Sequence, residues 1–183
     1  MTEGGMSTGE NQVASETLDG VRSVQTEIAQ TRPFHSLGAE VVVSLLRTAA
    51  VIDHFLSQIT TPHGITIQQY NVLRILRGAG SAGLPTLAIR DRMVHEAPGV
   101  TRLVDRLEQA GLVRRERCSP DRRQVLCYIT PQGLSLLDAL DAPMSAADDA
   151  AVSALGTAEQ RTLVALLDRV RAGHRQATGA SER

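Results

Sequence analysis

With 183 residues, a formal net charge of −1 and nineteen cationic side chains that are all arginine, the chain has room for one ordinary domain with a good core and carries no uniformly basic coat for nucleic acid. No apolar run approaches the roughly 18 residues that cross a bilayer, and the N-terminal MTEGGMSTGEN has neither the basic nor the apolar region of a secretory signal, so no membrane partner and a cytoplasmic protein are expected. Cys118, Cys127 and the dispersed histidines His35, His54, His63, His95 and His174 show no metal-ligand spacing and too few thiols for a disulfide framework, so neither a metal nor another cofactor is expected.

Residues 1 to about 33 are rich in Gly, Ser, Thr, Gln and Glu, with Glu3, Glu10, Glu16, Asp19 and Glu27 outnumbering Arg22 and Arg32. Such a segment buries too little to order itself and reads as a mobile tail, with room for a short helix around Leu18 to Ala29. Helical spacing begins near Ser36: Leu37, Val41, Leu45, Ala49, Ile52, Leu56 and Ile59 keep one stripe for more than six turns. A helix of that length projects beyond a small core, and its excess apolar surface calls for another subunit. Pro62 and Gly64 end it.

Thr66 and Gln69 then have the spacing of a capping box, Ile65 and Tyr70 that of a hydrophobic staple, and Val72, Leu73, Ile75 and Leu76 that of a core face. Gly78 to Gly83 reads as a flexible loop. A short third helix, PTLAIRDRM, is expected to turn Leu87, Ala88 and Met93 inward, and VHEAPG is the tight connection to the next.

The stretch from Ala97 to Thr130 organises the rest. In APGVTRLVDRLEQAG, Val100, Leu103, Val104 and Leu107 form an apolar stripe, while Thr101, Arg102, Asp105, Arg106 and Gln109 lie opposite. Pro98 suits a first helical position, and Gly111 followed by Leu112 suits a left-handed stop with its hydrophobic contact. LVRRERC and QVLCYIT are strand-like runs joined by SPDRR. A half-buried, polar-faced helix feeding an arginine-tipped hairpin has the shape of a winged helix, in which the helix enters a major groove and the hairpin reaches backbone or minor groove.

Thr130-Pro131 is a cap followed by a first-turn proline, opening a helix through Leu134, Leu137 and Leu140 that Pro143 is expected to kink or interrupt. Thr157 and Gln160 suit another capping box, followed by a last stripe of Leu163, Leu166, Leu167 and Val170 and frayed residues from about Gly173. The fold class expected is mainly α: a winged helix-turn-helix domain with a small β-hairpin wing, plus N- and C-terminal dimerisation helices.

PGVTRLVDRLEQAGLVRRERCSPDRRQVLCYITPQG resembles the MarR family of bacterial transcription regulators, through the Thr101 to Leu107 recognition helix, the Gly111-Leu112 stop, Asp121 with Arg123 at the wing tip, and Ile129 to Gly133 leading into the next helix. The resemblance covers about residues 37–170. It implies a homodimer joined through its terminal helices, with one winged helix per subunit on a palindromic operator in double-stranded DNA. The domain plan is then a tail over 1–35, a MarR-type domain over 36–175 and a disordered end over 176–183. Within the domain, 36–60 and 131–172 are dimerisation helices and 66–130 is the DNA-binding lobe. The function expected is a ligand-responsive repressor; the alternative is a winged-helix module for protein-protein assembly without specific DNA binding.

On the recognition helix the candidate contacts are Pro98, Gly99, Thr101, Arg102 and Arg106. Thr101 and Arg102 lie where base edges can be reached, with Arg102 suited to a bidentate guanine contact. Arg106 suits base or phosphate, or else an internal pair with Glu108 or another nearby carboxylate. On the wing the candidates are Arg115, Arg117, Asp121, Arg122 and Arg123. Asp121 can orient Arg123 into a narrow minor groove, although Ser-Pro-Asp is equally good turn chemistry. Arg114, Arg115 and Arg117 alternate along the first strand as backbone-positioning contacts.

The resemblance also allows a small aromatic effector between dimerisation helices and winged helix; Phe55 and Tyr70 read more simply as core. Cys118 and Cys127 read as packing residues. No nucleophile-base pair, phosphate loop or paired acid and base stands out, so an enzyme is not expected.

Overall fold

A computed structural model describes residues 21–95, 99–117 and 125–179. Contacts divide the chain into two compact units, one up to Ala50 and one from Val51 onward. The tail before residue 21 lies outside the described residues.

In the first unit the short helix is confined to α1 (Val24–Glu27), capped by the Ser23 hydroxyl, which accepts from the Thr26 N–H. Ser36 opens α2 (Leu37–Thr60), accepting the Ala39 N–H at 3.1 Å. Glu27 and Arg47 join α1 to α2 by an exposed ion pair of 3.1 Å. Of the stripe that sequence spacing predicts, Leu37 and Val41 are exposed and Leu45 is half-buried, and the neighbouring Val42 and Leu46 are exposed too.

The second unit is built on α3 (Ile67–Ala79), α4 (Thr86–Arg90), α5 (Val100–Gln109), α6 (Pro131–Ala151) and α7 (Thr157–Gly179), with a small antiparallel sheet. The expected capping box is present in full: Thr66 Oγ1 accepts from the Gln69 N–H, and the Gln69 side chain accepts from the Thr66 N–H at 2.9 Å. Val72, Leu73 and Leu76 of α3 pack with Ile89, Val104, Leu107, Leu137 and Leu140 into one core, against which Leu56 and Ile59 also rest. Arg77 closes α3 against α6 with two hydrogen bonds to Asp141, of 2.8 and 3.0 Å. The hydrogen bond from Arg77 holds the Asp141 carboxyl below the usual carboxylate range, and the same bond raises Arg77.

The sheet has three strands, not the two of a bare hairpin. β1 (Leu84–Pro85) pairs with β3 (Val125–Ile129), whose other edge carries β2 (Val113–Arg117). Pro85 is tolerated because β1 is an edge strand. The segment expected as a flexible loop is a 3-10 turn, Gly80–Ala82, closed by Gly83 at φ +62. A Cβ on Gly83 would stand 2.5 Å from the Tyr128 ring, so only glycine fits there.

Three helical expectations are corrected. α4 is one short turn that buries Ile89; Ala88 and Met93 pack against the core as expected, but Leu87 is 58% exposed. α6 runs through Pro143 without interruption: the proline is exposed, while Leu140, Met144 and Ala147 are buried on both sides of it. α7 starts one residue earlier than a Thr157 cap would require. Its preceding Gly156 N–H donates to Glu159 at 2.7 Å, and Gln160 donates instead to the Val152 and Leu155 carbonyls at the end of the preceding turn. The helix persists to Gly179, beyond the expected fraying point. No helix among the described residues is long and apolar enough to cross a membrane.

Candidate nucleic-acid interface

α5 is amphipathic in the way its spacing predicts. Val100, Val104 and Leu107 are buried and Leu103 is half-buried against the core, whereas Thr101, Arg102, Arg106 and Gln109 are exposed. α4 packs against it, completing a helix-turn-helix. Gly99 occupies the N-cap and offers no side chain, so the first-turn N–H groups are not capped from within. Pro98 lies outside the described residues.

The C-terminal end of α5 is locked to the wing and to α6. Leu112 N–H donates to the Leu107 carbonyl and Gly111 N–H to that of Glu108, both at 2.9 Å, with Gly111 at φ +72. These are the two bonds of a Schellman stop, and buried Leu112 provides its apolar contact. Thr130 then ties this stop to α6: its hydroxyl donates to the Gly111 carbonyl at 2.7 Å and accepts from the Gly133 N–H at 3.1 Å, while its own N–H reaches the Leu112 carbonyl. A Cβ on Gly133 would collide with that same Leu112 carbonyl, which accounts for the glycine two residues after Pro131. The recognition helix, the wing and the start of α6 are thereby held at one junction.

Arg115, expected to touch DNA, turns its guanidinium back onto α5, with Nη1 2.6 Å from Asp105 and 2.9 Å from Glu108, and Nη2 3.3 Å from the Thr101 carbonyl. Burial opposes its charge, but the Asp105 and Glu108 carboxylates outweigh that and raise its pKa further. The physical reason is the register. Arg115 pairs with fully buried Cys127 on β3, which puts its side chain on the face of the sheet turned toward the helix. Arg114, on the opposite face, pairs with Glu116 and lies 4.3 Å above the centroid of the Tyr128 ring. Arg117 is exposed at the outer end of β2. Because Glu108 is engaged by Arg115, the internal pair considered for Arg106 does not form; among the described residues neither Arg102 nor Arg106 is ion-paired. Asp121, Arg122, Arg123 and Cys118 lie outside the described residues.

Known proteins share this fold. A family model described as MarR family matches residues 63–124, which contain the helix-turn-helix and the first wing strand. The chain is 30% identical over 132 residues to the HTH-type transcriptional regulator PecS of Dickeya dadantii, covering 71% of this chain and 79% of that protein. It is 36% identical to a MarR transcription factor from Planctomyces limnophilus of known crystal structure, with a TM-score of 0.58 over 74% of this chain and 98% of the other. The chain belongs to the MarR family. As a MarR regulator it has the fold also seen in a Streptomyces coelicolor member in complex with DNA, 22% identical, with a TM-score of 0.68 over 79% of this chain and 92% of that one. It is a DNA-binding transcriptional regulator with a winged helix.

Within this MarR chain, sequence reasoning missed β1, the Thr130 clasp and the role of Glu108. Only the clasp had a visible signal, since a Thr-Pro-x-Gly run after a strand already suggests a tight helix start. Tyr70 is buried as expected of a core residue, whereas Phe55 is 38% exposed, contrary to expectation. Cys127 is buried on the middle strand, in keeping with a packing role.

Proposed function

We propose that this regulator is a ligand-responsive repressor that binds a palindromic operator as a homodimer. The observation that carries the DNA reading is the exposed face of α5, where Thr101, Arg102 and Arg106 stand clear of internal pairing among the described residues. Arg102 is suited to bidentate guanine readout, and Thr101 and Arg106 to neighbouring base edges or phosphates. Pro98 and Gly99 bring the start of α5 close to the backbone. Arg117 with Arg122 follows the phosphates, and Arg123, oriented by Asp121, enters the minor groove.

The dimer is supported by apolar surface that one chain leaves open. Leu37, Val41, Val42 and Leu46 on α2 and Leu163, Val164, Leu166 and Val170 on α7 are each 39–76% exposed. Patches of this kind on a regulator mark an interface with a second copy. The interface runs from Leu37 to about Val51 and from Thr157 to Val170. A twofold protein reads a twofold site, which is why the operator is palindromic.

Electrophoretic mobility shift against DNA flanking the regulator's own gene tests this reading. A discrete shift resisting excess random-sequence competitor is expected, with release of the duplex by a small aromatic acid. A chain that shifts random DNA equally, or none, refutes it and favours a protein-protein module. Sedimentation at micromolar concentration tests the dimer separately, and a monomer there would remove it.

A further inference from the structure

We propose that Arg115, held by Glu108 and Asp105, is a positioning residue that sets the pitch of the recognition helix against the wing and does not itself touch DNA. This rests on the DNA-binding reading above. The guanidinium meets the helix at Thr101, Asp105 and Glu108, positions i, i+4 and i+7 on one flank, and so lies along two turns of α5. Glu108 grips the strand twice: Oε1 accepts the Arg115 backbone N–H at 3.2 Å while Oε2 accepts its side chain. A single carboxylate therefore fixes both the strand's position and the direction of its arginine. Opposite Arg115 in the ladder is Cys127, fully buried, so the strand end of the strut is anchored in the core.

The local charge balance points the same way. Two carboxylates and one guanidinium leave a net negative flank on a helix that approaches a polyanion. Simple attraction to phosphate would favour leaving Arg115 free and omitting both acids. Their presence is explained if geometry is what they provide: a fork with two nitrogens bridging three acceptors holds an orientation that a point charge does not.

The test uses full-length protein and a duplex enriched from a random pool by repeated binding to the wild-type chain. Unselected random-sequence duplex is the reference. Glu108→Gln and Asp105→Asn each remove a negative charge, so electrostatics alone predicts tighter binding to both duplexes. Positioning predicts roughly tenfold weaker binding to the selected duplex for Glu108→Gln, with random-sequence binding unchanged or tighter. Arg115→Lys keeps the charge but not the fork, and is expected to be nearly as defective as Arg115→Met. Adding Glu108→Gln to Arg115→Met should bring little further loss. Thermal unfolding midpoints establish that each variant is folded.

Acid-neutralised variants that bind the selected duplex as tightly as wild type, or more tightly, overturn the proposal. So does full rescue by Arg115→Lys, with Arg115→Met lowering the salt slope by about one, which would mark a phosphate contact. A wild-type chain that enriches no duplex overturns the DNA-binding reading, and this proposal with it.

Discussion

The winged-helix lobe and the terminal helices use the same leucines and valines in opposite surroundings. Leu73, Leu76, Val104, Leu107, Leu137 and Leu140 are at most 1% exposed, whereas Leu46 on α2 and Val164 and Leu166 on α7 are 66%, 57% and 48% exposed. The lobe closes on itself and the terminal helices do not. Helical periodicity reports that a helix has an apolar face; it does not report whether the cover for that face comes from its own chain or from a second one. In the lobe the faces of α3, α4, α5 and α6 converge around one centre. Among the described residues of α7 none is fully buried.

The largest effect should come from the open faces. Leu46→Glu with Leu166→Glu changes both faces in both subunits of a twofold dimer, and each site loses about 1.5–3 kcal/mol of burial before any penalty for the charge. Sedimentation at micromolar concentration should show monomer, with far-UV helical signal largely kept; an intact dimer would mean that the interface lies elsewhere. Next, Leu73→Ala in the closed core should lower unfolding stability by about 2–5 kcal/mol in urea titration. The same truncation at Leu37, 76% exposed on α2, in the monomeric background should change stability by much less. Equal effects would erase the contrast between the regions.

At the wing tip, Arg123→Ala should weaken operator binding by about 1–3 kcal/mol and flatten its salt dependence, with fold and dimer unchanged. Asp121→Ala should weaken binding too, although loss of an acid beside DNA would strengthen it through charge alone; tighter binding would rule out an orienting role. The smallest effect concerns the clasp that closes the lobe on its polar side. Asp141 has its folded pKa below the unfolded value, so its contribution is present above the ordinary carboxylate range and is lost as pH falls through the folded pKa. Asp141→Asn should therefore flatten the acid limb of a stability-against-pH curve. An unchanged limb would show that the pair is fully screened.

Local chemistry was legible from the residues alone. The Thr66–Gln69 box, the Gly111–Leu112 stop, the Thr130 cap and the stripe of α5 each lie within a short consecutive run, and the physics that sets them acts over that range. The family resemblance rests on the same contiguous stretch. Register and approach were not legible. Arg114, Arg115 and Arg117 are equivalent in the sequence, and only the pairing of Arg115 with Cys127 turns it toward Asp105 and Glu108. β1 is two residues whose strand character exists only because β3 has an edge to pair with. Leu87 faces out while Ala88 and Ile89 of the same short turn face the core. Pro143 remains helical because side chains from another element hold the turns on either side of it. Residue order alone sets where most elements begin and end, since caps, stops and periodicity are local. Which charges pair with another element and which stay exposed is decided only when the chain is folded, since that depends on distances between elements far apart in sequence.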